Sequence, residues 1–250
     1  MCRALVTGAG KRLGRAMALY LAGRGFDVAV HYATSRSAAE ETAADIIAQG
    51  RRASLLQANL LDEAETQTLL PRAAAALGGP ITCLVNNASI FEADDIYTAT
   101  PESWERHIGS NLRAPFVLTQ AMAGQQLPAP PDERGEPRAT GLIVNMIDQR
   151  VHSPTPEFMS YTIAKMGLWA MTRTTAQALA PAIRVNGIGP GPTLQGQHQS
   201  EEVFAQERRD TVLERGVNLE DITAGLGYFI DAPAVTGQLI CTDGGEHLKW

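Results

Sequence analysis

The sequence has little cysteine, no long apolar run and no excess of basic charge. Its three cysteines, Cys2, Cys83 and Cys241, are too few and too scattered for a disulfide framework, which suits a reducing cytoplasm. No stretch of about 18 apolar residues is present, and the start of the chain lacks the apolar region of a signal peptide. The net charge of −6 gives no electrostatic basis for binding nucleic acid or an anionic membrane. We therefore expect a soluble intracellular protein whose partners are small molecules.

Metal-binding patterns are missing as well. The five histidines are His31, His107, His152, His198 and His247. None lies four residues from another, and none has a cysteine partner in a recognisable spacing, so we predict no metal site.

Short apolar runs alternate with longer Ala-rich stretches. The runs are continuously apolar, which is typical of strands covered on both faces, and they span residues 4–8, 27–32, 53–60, 81–88, 141–147, 183–191 and 237–245. The stretches between them predict helices near 12–24, 37–49, 62–78, 101–127, 159–180 and 219–231. This alternation predicts one α/β domain over residues 1–250, a Rossmann-like doubly wound parallel sheet of about seven strands.

Two segments interrupt this alternation. Residues 127–140 are dense in Pro and charge, so we expect an exposed loop that does not divide the domain. Residues from 189 to about 210 follow the sixth strand and begin with an irregular, Gly- and Pro-containing stretch. Because loops at the carboxyl ends of parallel strands commonly carry ligands, we interpret this segment as a mobile substrate flap.

The stretch LVTGAGKRLGRAMALYLAGRG, residues 5–25, places a Gly-rich turn between a strand and a helix. Dinucleotide sites have this order, because glycines let the backbone approach the pyrophosphate and the helix N-terminus faces its negative charge. The alternative is a tight turn that needs Gly8 and Gly10 for their backbone angles only.

Three motifs together resemble the short-chain dehydrogenase/reductase family. They are Thr7-Gly8 with Gly14, NNAS at 86–89 and YTIAK at 161–165. The similarity extends along the chain to DGG at 243–245. The middle glycine of the family's first motif is replaced by Arg12, after Lys11, and TGAGKRLG resembles the variant found in pteridine reductases.

The charges near this turn favour NADPH as the cofactor. Lys11 and Arg12 lie beside the expected phosphates, and the end of the second strand lacks the acidic residue that would bind a free ribose 2′-hydroxyl. Arg36 and Ser37 can instead bind a 2′-phosphate. Alternatively, these two residues only open the next helix, with Ser37 as its cap.

The resemblance implies a wider set of cofactor contacts. Asn59 stands where many relatives have Asp, which leaves its contact with the adenine open. The implied set is Gly8, Lys11, Arg12, Leu13, His31, Arg36, Ser37, Asn59, Leu60, Asn87, Ala88, Ser89, Lys165, Pro190 and Gly191.

The same resemblance implies a catalytic set. Tyr161 would be the proton donor, and Lys165, one helical turn on, would lower the pKa of Tyr161 and hold the nicotinamide ribose. Asn111 matches the asparagine that supports a proton-relay water in the family. On residues alone, YxxxK is also compatible with an ordinary amphipathic helix, and Asn111 with an interior polar residue.

Asp148 is the main departure from the family pattern, because its position holds serine in most members. Serine donates a hydrogen bond to a substrate carbonyl, whereas an ionised carboxylate only accepts. NMID at 145–148 resembles the segment of pteridine reductases, which reduce a ring C=N and must protonate its nitrogen. A protonated aspartate can deliver or relay that proton through Tyr161. The alternative is that Asp148 caps the following turn.

The resemblance also implies a substrate site and an assembly. Phe91 corresponds to the aromatic residue that stacks on the pterin, and the implied substrate contacts are Arg12, Ser89, Phe91, Asp148, Phe158 and Tyr161. We therefore predict an NADPH-dependent reductase of a pterin-type substrate, in a homotetramer in which a partner would bury Trp250. The alternatives are a carbonyl reductase of another ketone or acyl substrate and a non-catalytic NADP-binding sensor.

Overall fold

A computed structural model describes residues 2–196 and 199–249, so Met1, Gln197, His198 and Trp250 lie outside the described residues. Seven parallel strands form one sheet in the order β3-β2-β1-β4-β5-β6-β7. They are β1 Arg3–Val6, β2 Asp27–Tyr32, β3 Ala53–Gln57, β4 Cys83–Asn86, β5 Gly141–Met146, β6 Ile183–Pro190 and β7 Leu239–Thr242. The predicted Rossmann-like α/β fold is confirmed.

Helices cover both faces of the sheet, and the strands accordingly bury apolar side chains on both faces. The helices are α1 Arg12–Gly23, α2 Arg36–Ala48, α3 Glu63–Leu77, α4 Pro101–Ile108, α5 Ala114–Gly124, α6 Met159–Leu179, α7 Glu201–Arg209 and α8 Leu219–Asp231. One core cluster joins the sheet to α1 and α8, and a second joins it to α3 and α5. Among the described residues, no helix is long and apolar enough to cross a membrane.

Strand order reverses between β1 and β4, and this reversal positions the site. β1 pairs with both β2 and β4, so chain segments leave the two sides of β1 in opposite directions. Ligands of open α/β sheets bind in the crevice at this point, beyond the carboxyl ends of the strands. The Gly-rich turn after β1 and the NNAS segment after β4 both lie there.

The helix predicted over 101–127 is interrupted. A π-helical turn, Gly109–Arg113, separates α4 from α5, and α5 ends at Gly124. A turn of this kind widens the helix by one residue and is found mostly at functional sites. Its position was not predictable from apolar periodicity, because α4, the turn and α5 follow one another without a break in helical structure.

Two further differences concern helix starts. Within the segment predicted as a flap, residues 201–209 form α7, whose first turn is held by Ser200 Oγ accepting from Val203 N at 3.2 Å. The helix α2 begins at Arg36, with Ser35 as the preceding residue, so Ser37 is not its cap. The loop that follows α5 contains only an isolated bridge between Pro131 and Pro137.

Candidate active site

The turn between β1 and α1 has the backbone conformation that its glycines permit. Gly8 has a φ of 63°, and a Cβ on Gly14 would lie 2.2 Å from the carbonyl oxygen of Gly8. Arg12 replaces the family's middle glycine yet keeps a left-handed φ of 52°. Non-glycine residues rarely adopt this conformation, so its presence suggests that the surrounding turn enforces it.

His31, in β2, is hydrogen-bonded to the backbone of this turn. Its Nδ1 accepts a hydrogen bond from Gly8 N at 3.0 Å, and its Nε2 lies 3.0 Å from the Ala58 carbonyl oxygen, to which it donates. Burial lowers the pKa of His31 to about 4, so the ring is neutral at pH 7. Because both ring nitrogens are bonded to the backbone, His31 orders the turn, and its direct contact with the cofactor stays a prediction.

The NNAS segment is tied to the same turn. Thr7 Oγ1 accepts from Asn87 N and from Ala88 N, both at 2.9 Å. Asn87 Nδ2 donates to the Thr7 carbonyl oxygen at 2.8 Å. These bonds join the ends of β1 and β4 where the sheet reverses, and Ser89 follows as an exposed residue at the mouth of the site.

An open cleft of about 600 Å³ lies beside the turn and is lined by four cationic side chains. Lys11, Arg12 and Arg36 were predicted to lie here. Arg15 was missed, although its spacing of four residues from Lys11 places both on one face of α1. Hydroxyl groups of Ser35 and Ser37 complete a donor set that fits an adenosine 2′-phosphate, with Lys and Arg supplying charge and Ser supplying hydrogen bonds.

Arg12 has a second set of contacts. Its guanidinium donates to the carbonyl oxygens of Leu194 and Gln195, at 3.0 and 2.9 Å. The segment that begins at Pro190 and Gly191 is thereby attached to the cofactor turn. Gly191 passes close to the last turn of the chain, since a Cβ there would lie 2.7 Å from Asp243 Cα.

The remaining predicted cofactor residues lie at the rim or under it. Asn59 is exposed just after β3, and its Oδ1 accepts from Leu61 N at 3.1 Å. Leu13 and Leu60 are half-buried and pack against the two core clusters. Their side chains therefore support the cleft more than they line it.

Asp148 and Tyr161 are in direct contact. The Tyr161 hydroxyl donates to Asp148 Oδ2 at 2.7 Å, and Arg150 N donates to Asp148 Oδ1 at 2.9 Å. One oxygen of Asp148 therefore caps the turn Gln149–Val151, and the other faces the tyrosine, so the proton relay through Tyr161 stays a prediction.

Tyr161 is buried and protonated. Burial raises its pKa well above the ordinary value of 10, and Asp148 raises it further, whereas Arg150 and a hydrogen bond from Ser89 oppose the shift. That Lys165 lowers this pKa, as the resemblance implies, stays a prediction. Its Nζ lies 5.5 Å from the centre of the Tyr161 ring and donates to the Met146 carbonyl oxygen at 2.7 Å. Burial lowers the pKa of Lys165 to about 8, so the ammonium form predominates at pH 7.

Asn111 lies in the π-helical turn and is buried. Its Nδ2 donates to the Ile90 carbonyl oxygen at 2.8 Å, and its Oδ1 accepts from Ile90 N at 3.0 Å. The amide thus clamps the residue between Ser89 and Phe91. This contact explains why an interior asparagine is needed, and it places the π-helical turn against the loop after β4.

Three aromatic rings meet at the mouth of the site. Phe91 stacks on Phe158 with centroids 4.2 Å apart and planes at 10°, and it meets the edge of Tyr161 at 4.7 Å. The guanidinium of Arg150 lies 5.2 Å from the Phe158 ring centre. Arg150 was not predicted, because only the folded turn after β5 brings it over Phe158.

Comparison with known proteins decides the family. The family described as short chain dehydrogenase matches residues 3–206. The chain belongs to this family. Curated relatives include the 3-oxoacyl-acyl-carrier-protein reductase FabG of Staphylococcus aureus, 30% identical over 98% of each chain. Another is the 3-oxoacyl-acyl-carrier-protein reductase of Synechocystis sp., 31% identical over 97% of this chain and 95% of the relative.

Two solved structures with bound NADP or NADPH superpose closely on this chain. FolM alternative dihydrofolate reductase 1 from Brucella suis, in complex with NADP, is 41% identical over 100% of this chain and 96% of that chain, with a TM-score of 0.91. A blue fluorescent protein from a metagenomic library, in complex with NADPH, is 29% identical over 98% and 97%, with a TM-score of 0.88. This short-chain dehydrogenase is an NADP-dependent oxidoreductase.

The last turn of this short-chain dehydrogenase groups three side chains that are able to bind a metal. The ligand atoms of Cys241, Asp243 and His247 lie within 4.8 Å of one another. The Asp243 carboxylate already accepts from Gly245 N at 3.0 Å and from His247 N at 2.8 Å, and it pairs with His247 Nδ1 at 2.6 Å. Burial raises the pKa of the Cys241 thiol to about 12. These bonds account for the grouping, and the absence of a metal stays a prediction.

We expect this short-chain dehydrogenase to bind NADPH more than about tenfold more tightly than NADH, because charge-assisted phosphate contacts in the cationic cleft are lost with NADH. Fluorescence titration of both cofactors measures the ratio. Arg36→Ala should reduce the preference for NADPH over NADH. Arg173→Ala should leave that preference unchanged, since Arg173 lies on the Trp169 ring of α6, outside the cleft. Equal dissociation constants for the two cofactors in the wild type would contradict the assignment.

Proposed function

We propose that this protein is an NADPH-dependent reductase of a pterin-type substrate, such as a dihydropterin, biopterin or a dihydrofolate-like molecule. The contact between Asp148 Oδ2 and the Tyr161 hydroxyl, 2.7 Å long, carries the proposal. It puts an acid where the family's carbonyl reductases hold a serine. A carboxylate cannot donate to a ketone oxygen, but it can share a proton that a ring nitrogen must receive.

The protein's own groups account for the proton. NADPH, when bound, supplies the hydride that reduces the substrate. Tyr161 keeps its proton at neutral pH because burial and Asp148 raise its pKa, so it enters the reaction as an acid. Once Tyr161 has given up this proton, a phenolate would face the carboxylate of Asp148. Two like charges at this distance favour uptake of a proton, and half-buried Asp148 is open to water on one side.

Lys165 and Asn111 are hydrogen-bonded to backbone segments around the site. Lys165 Nζ is held by the Met146 carbonyl oxygen, at the end of β5 and two residues before Asp148. Asn111 fixes Ile90 and with it the start of the loop that carries Phe91. The residues that hold NADPH are those of the cationic cleft and the Gly-rich turn, and Lys165 would hold its nicotinamide ribose.

The aromatic residues and one structural relative support a planar substrate. Phe91 and Phe158 offer flat rings beside Tyr161, and aromatic stacking favours a planar heterocycle there by about 0.5–1.5 kcal/mol beyond its burial. The FolM alternative dihydrofolate reductase 1 of Brucella suis shares 41% of residues over the whole of this chain. We carry its substrate class over to this protein as part of the proposal.

A second candidate is reduction of a ketone or acyl substrate. The 3-oxoacyl-acyl-carrier-protein reductases at about 30% identity favour it. Asp148 argues against it, because a carbonyl oxygen would face an acceptor. A non-catalytic NADP-binding sensor is disfavoured, since such a protein has no need of the proton-transfer set Asn111, Tyr161 and Lys165.

Steady-state oxidation of NADPH with a panel of substrates tests the proposal. We expect the highest kcat/KM with a dihydropterin or dihydrofolate and little turnover of 3-oxoacyl thioesters or simple ketones. The panel should include one oxidised pterin, to show which oxidation state is used. A ketone or acyl thioester as the best substrate would favour the second candidate, and no turnover with any member would favour the sensor.

We further propose a homotetramer that works in the cytoplasm. Large apolar side chains are exposed on neighbouring helices, with Phe116 of α5 at 37% and Ile163 and Met166 of α6 at 41% and 45%. Exposed apolar residues of this size are typical of surfaces that another subunit covers. The cysteines Cys2, Cys83 and Cys241 are all free, which suits a reducing compartment. Sedimentation velocity measures the subunit number.

A further inference from the structure

A buried polar cluster lies behind the aromatic rings of the site. It consists of Asp94 from the loop after β4, Ser103 and His107 from α4, and Ser160 from the first turn of α6. Asp94, His107 and Ser160 are 6%, 0% and 0% exposed. Asp94 Oδ1 accepts from Ser160 N at 3.1 Å, and its Oδ2 accepts from Ser103 Oγ at 3.2 Å and from Ser160 Oγ. The cluster therefore joins three separate elements, with Asp94, His107 and Ser160 buried and Ser103 at its half-buried edge.

The hydrogen bonds fix the positions of the protons on His107 and Ser160. His107 Nε2 accepts from Glu92 N at 3.1 Å, so in the neutral ring the proton is on Nδ1. The Nδ1–H donates to Ser160 Oγ at 2.6 Å, and the Ser160 hydroxyl donates to Asp94. Serine, histidine and aspartate are thus arranged in the opposite direction from a nucleophilic triad, in which histidine would accept the serine proton.

This chain of hydrogen bonds ends at Glu92 N on one side and at Ser160 on the other, and both lie next to residues that face the substrate. Glu92 N is the backbone group directly after Phe91, and Ser160 directly precedes Tyr161. The Asp94 carbonyl oxygen also accepts from Met159 N at 3.2 Å, next to Phe158. The His107 ring itself lies 6.1 Å from the Tyr161 ring. His107 is therefore bonded to both sides of the aromatic site.

We propose that His107 is a positioning residue, which in its neutral form fixes the loop that carries Phe91 against the helix that carries Tyr161. The inference deepens the proposed function, because it assumes that Phe91 contacts the substrate. His107 itself touches neither substrate nor cofactor in this assignment. Its effect is transmitted through Glu92 N on one side and Ser160 on the other.

Protonation of His107 breaks the arrangement. A protonated ring donates from both nitrogens, so Nε2 can no longer accept from Glu92 N. The charged groups that face the ring are Asp94, Glu92 and Arg106, and Ser160 and Tyr161 face it from α6. Burial lowers the pKa of His107 below 6.5, against the opposing effect of the two carboxylates. Since the unfolded chain binds this proton more readily, stability from this group is present above pH 6.5 and is lost as pH falls below it.

Two substitutions test the two hydrogen bonds of the His107 ring separately. In His107→Asn, the side-chain amide can replace Nδ1 as the donor to Ser160 Oγ, but it is too short to accept a hydrogen bond from Glu92 N. In His107→Gln, the amide oxygen can replace Nε2 as acceptor, and the side chain does not titrate. We expect His107→Asn to raise KM about tenfold at pH 8, with little change in kcat or in the Kd for NADPH, because the half-buried donor Glu92 N loses its partner. His107→Gln should keep KM within about threefold of wild type, since that donor stays paired.

The pH profile distinguishes positioning from simple stability. In the wild type, KM should rise as pH falls below 6.5, whereas in His107→Gln this rise should be absent. Thr119→Val is the matched control: Thr119 is 4% exposed and lies in α5, and its hydroxyl has no hydrogen-bond partner among the described residues. It should leave KM and the pH profile unchanged. Should His107→Asn not fold, the wild type and His107→Gln still decide the question.

Hydrogen exchange provides a test without substrate. Amide exchange in residues 90–96 of the holoenzyme should be faster in His107→Asn than in wild type and Thr119→Val, at equal global stability. Faster exchange without any reduction of pterins would support the positioning role and reject the proposed substrate. Unchanged exchange and unchanged KM in His107→Asn, or an acid rise of KM that persists in His107→Gln, would overturn the inference.

Discussion

Tyr161→Phe should lower turnover of the best substrate by about 10⁴-fold, the upper end of what a positioned acid contributes. The hydroxyl is the only polar group of this side chain and donates to Asp148, whereas the ring makes the contacts with Phe91 and His107. Loss of the hydroxyl removes the proton donor and leaves the ring packing in place. The Kd for NADPH should therefore change by no more than about twofold. Single-turnover kinetics and a fluorescence titration measure the two effects.

Two further variants interpret this result. Tyr228→Phe removes a hydroxyl from a tyrosine of α8 that is 52% exposed, and it should leave turnover unchanged. Lys165→Met should lower turnover and weaken NADPH binding together, because the resemblance places its ammonium on both the proton-transfer set and the cofactor. Wild-type turnover in Tyr161→Phe would show that another group donates the proton.

Asp148→Ser should lower kcat/KM for a dihydropterin by about 10²- to 10⁴-fold while keeping the fold and the affinity for NADPH. Serine restores the residue that most of the family holds at this position. It can still cap the turn through Arg150 N, so the structural role of Asp148 is retained. What it removes is the carboxylate oxygen that faces the Tyr161 hydroxyl.

Asp148→Asn is the closer test of the same idea. Its shape is that of aspartate and its amide oxygen can cap the turn, but it can neither hold nor release a proton. Both variants should therefore lose pterin reduction. A kcat/KM for Asp148→Ser within about threefold of wild type would leave only the capping role. A gain of activity on a 3-oxoacyl thioester in Asp148→Ser would identify this residue as the determinant of substrate class.

Much of the fold follows from local patterns. Continuous apolar runs predicted all seven strands, because strands covered on both faces bury apolar side chains on both. The helices were predicted to within a few residues, apart from α7 and the division between α4 and α5. The start of α7 is visible in retrospect as Ser200 followed by two glutamates, a common helix start. It was obscured by the polar, irregular stretch before it.

Candidate site residues could be predicted from the sequence where they belong to a recognisable motif. Tyr161, Lys165, Asn111 and Asp148 belong to motifs with fixed spacing. Arg150, His107 and Arg15 belong to none. Arg150 matters through its position over Phe158, and His107 through bonds to residues 15 and 53 positions away along the chain. Such partners are brought together only by tertiary packing. For His31 the resemblance implies a cofactor contact, whereas its hydrogen bond with Gly8 N could be seen only in the structure.

The π-helical turn also sets how the chain tolerates changes in length. It contains one residue more than an α-helical turn would need, and Asn111 faces Ile90 because of that residue. Deleting one residue of Gly109–Arg113 would leave a regular α-helix whose two halves keep their alignment, but it would remove the bulge and carry Asn111 away from its partner. The loop at 127–140 is exposed and outside the sheet, so a peptide tag or a label can be inserted there without disturbing that contact.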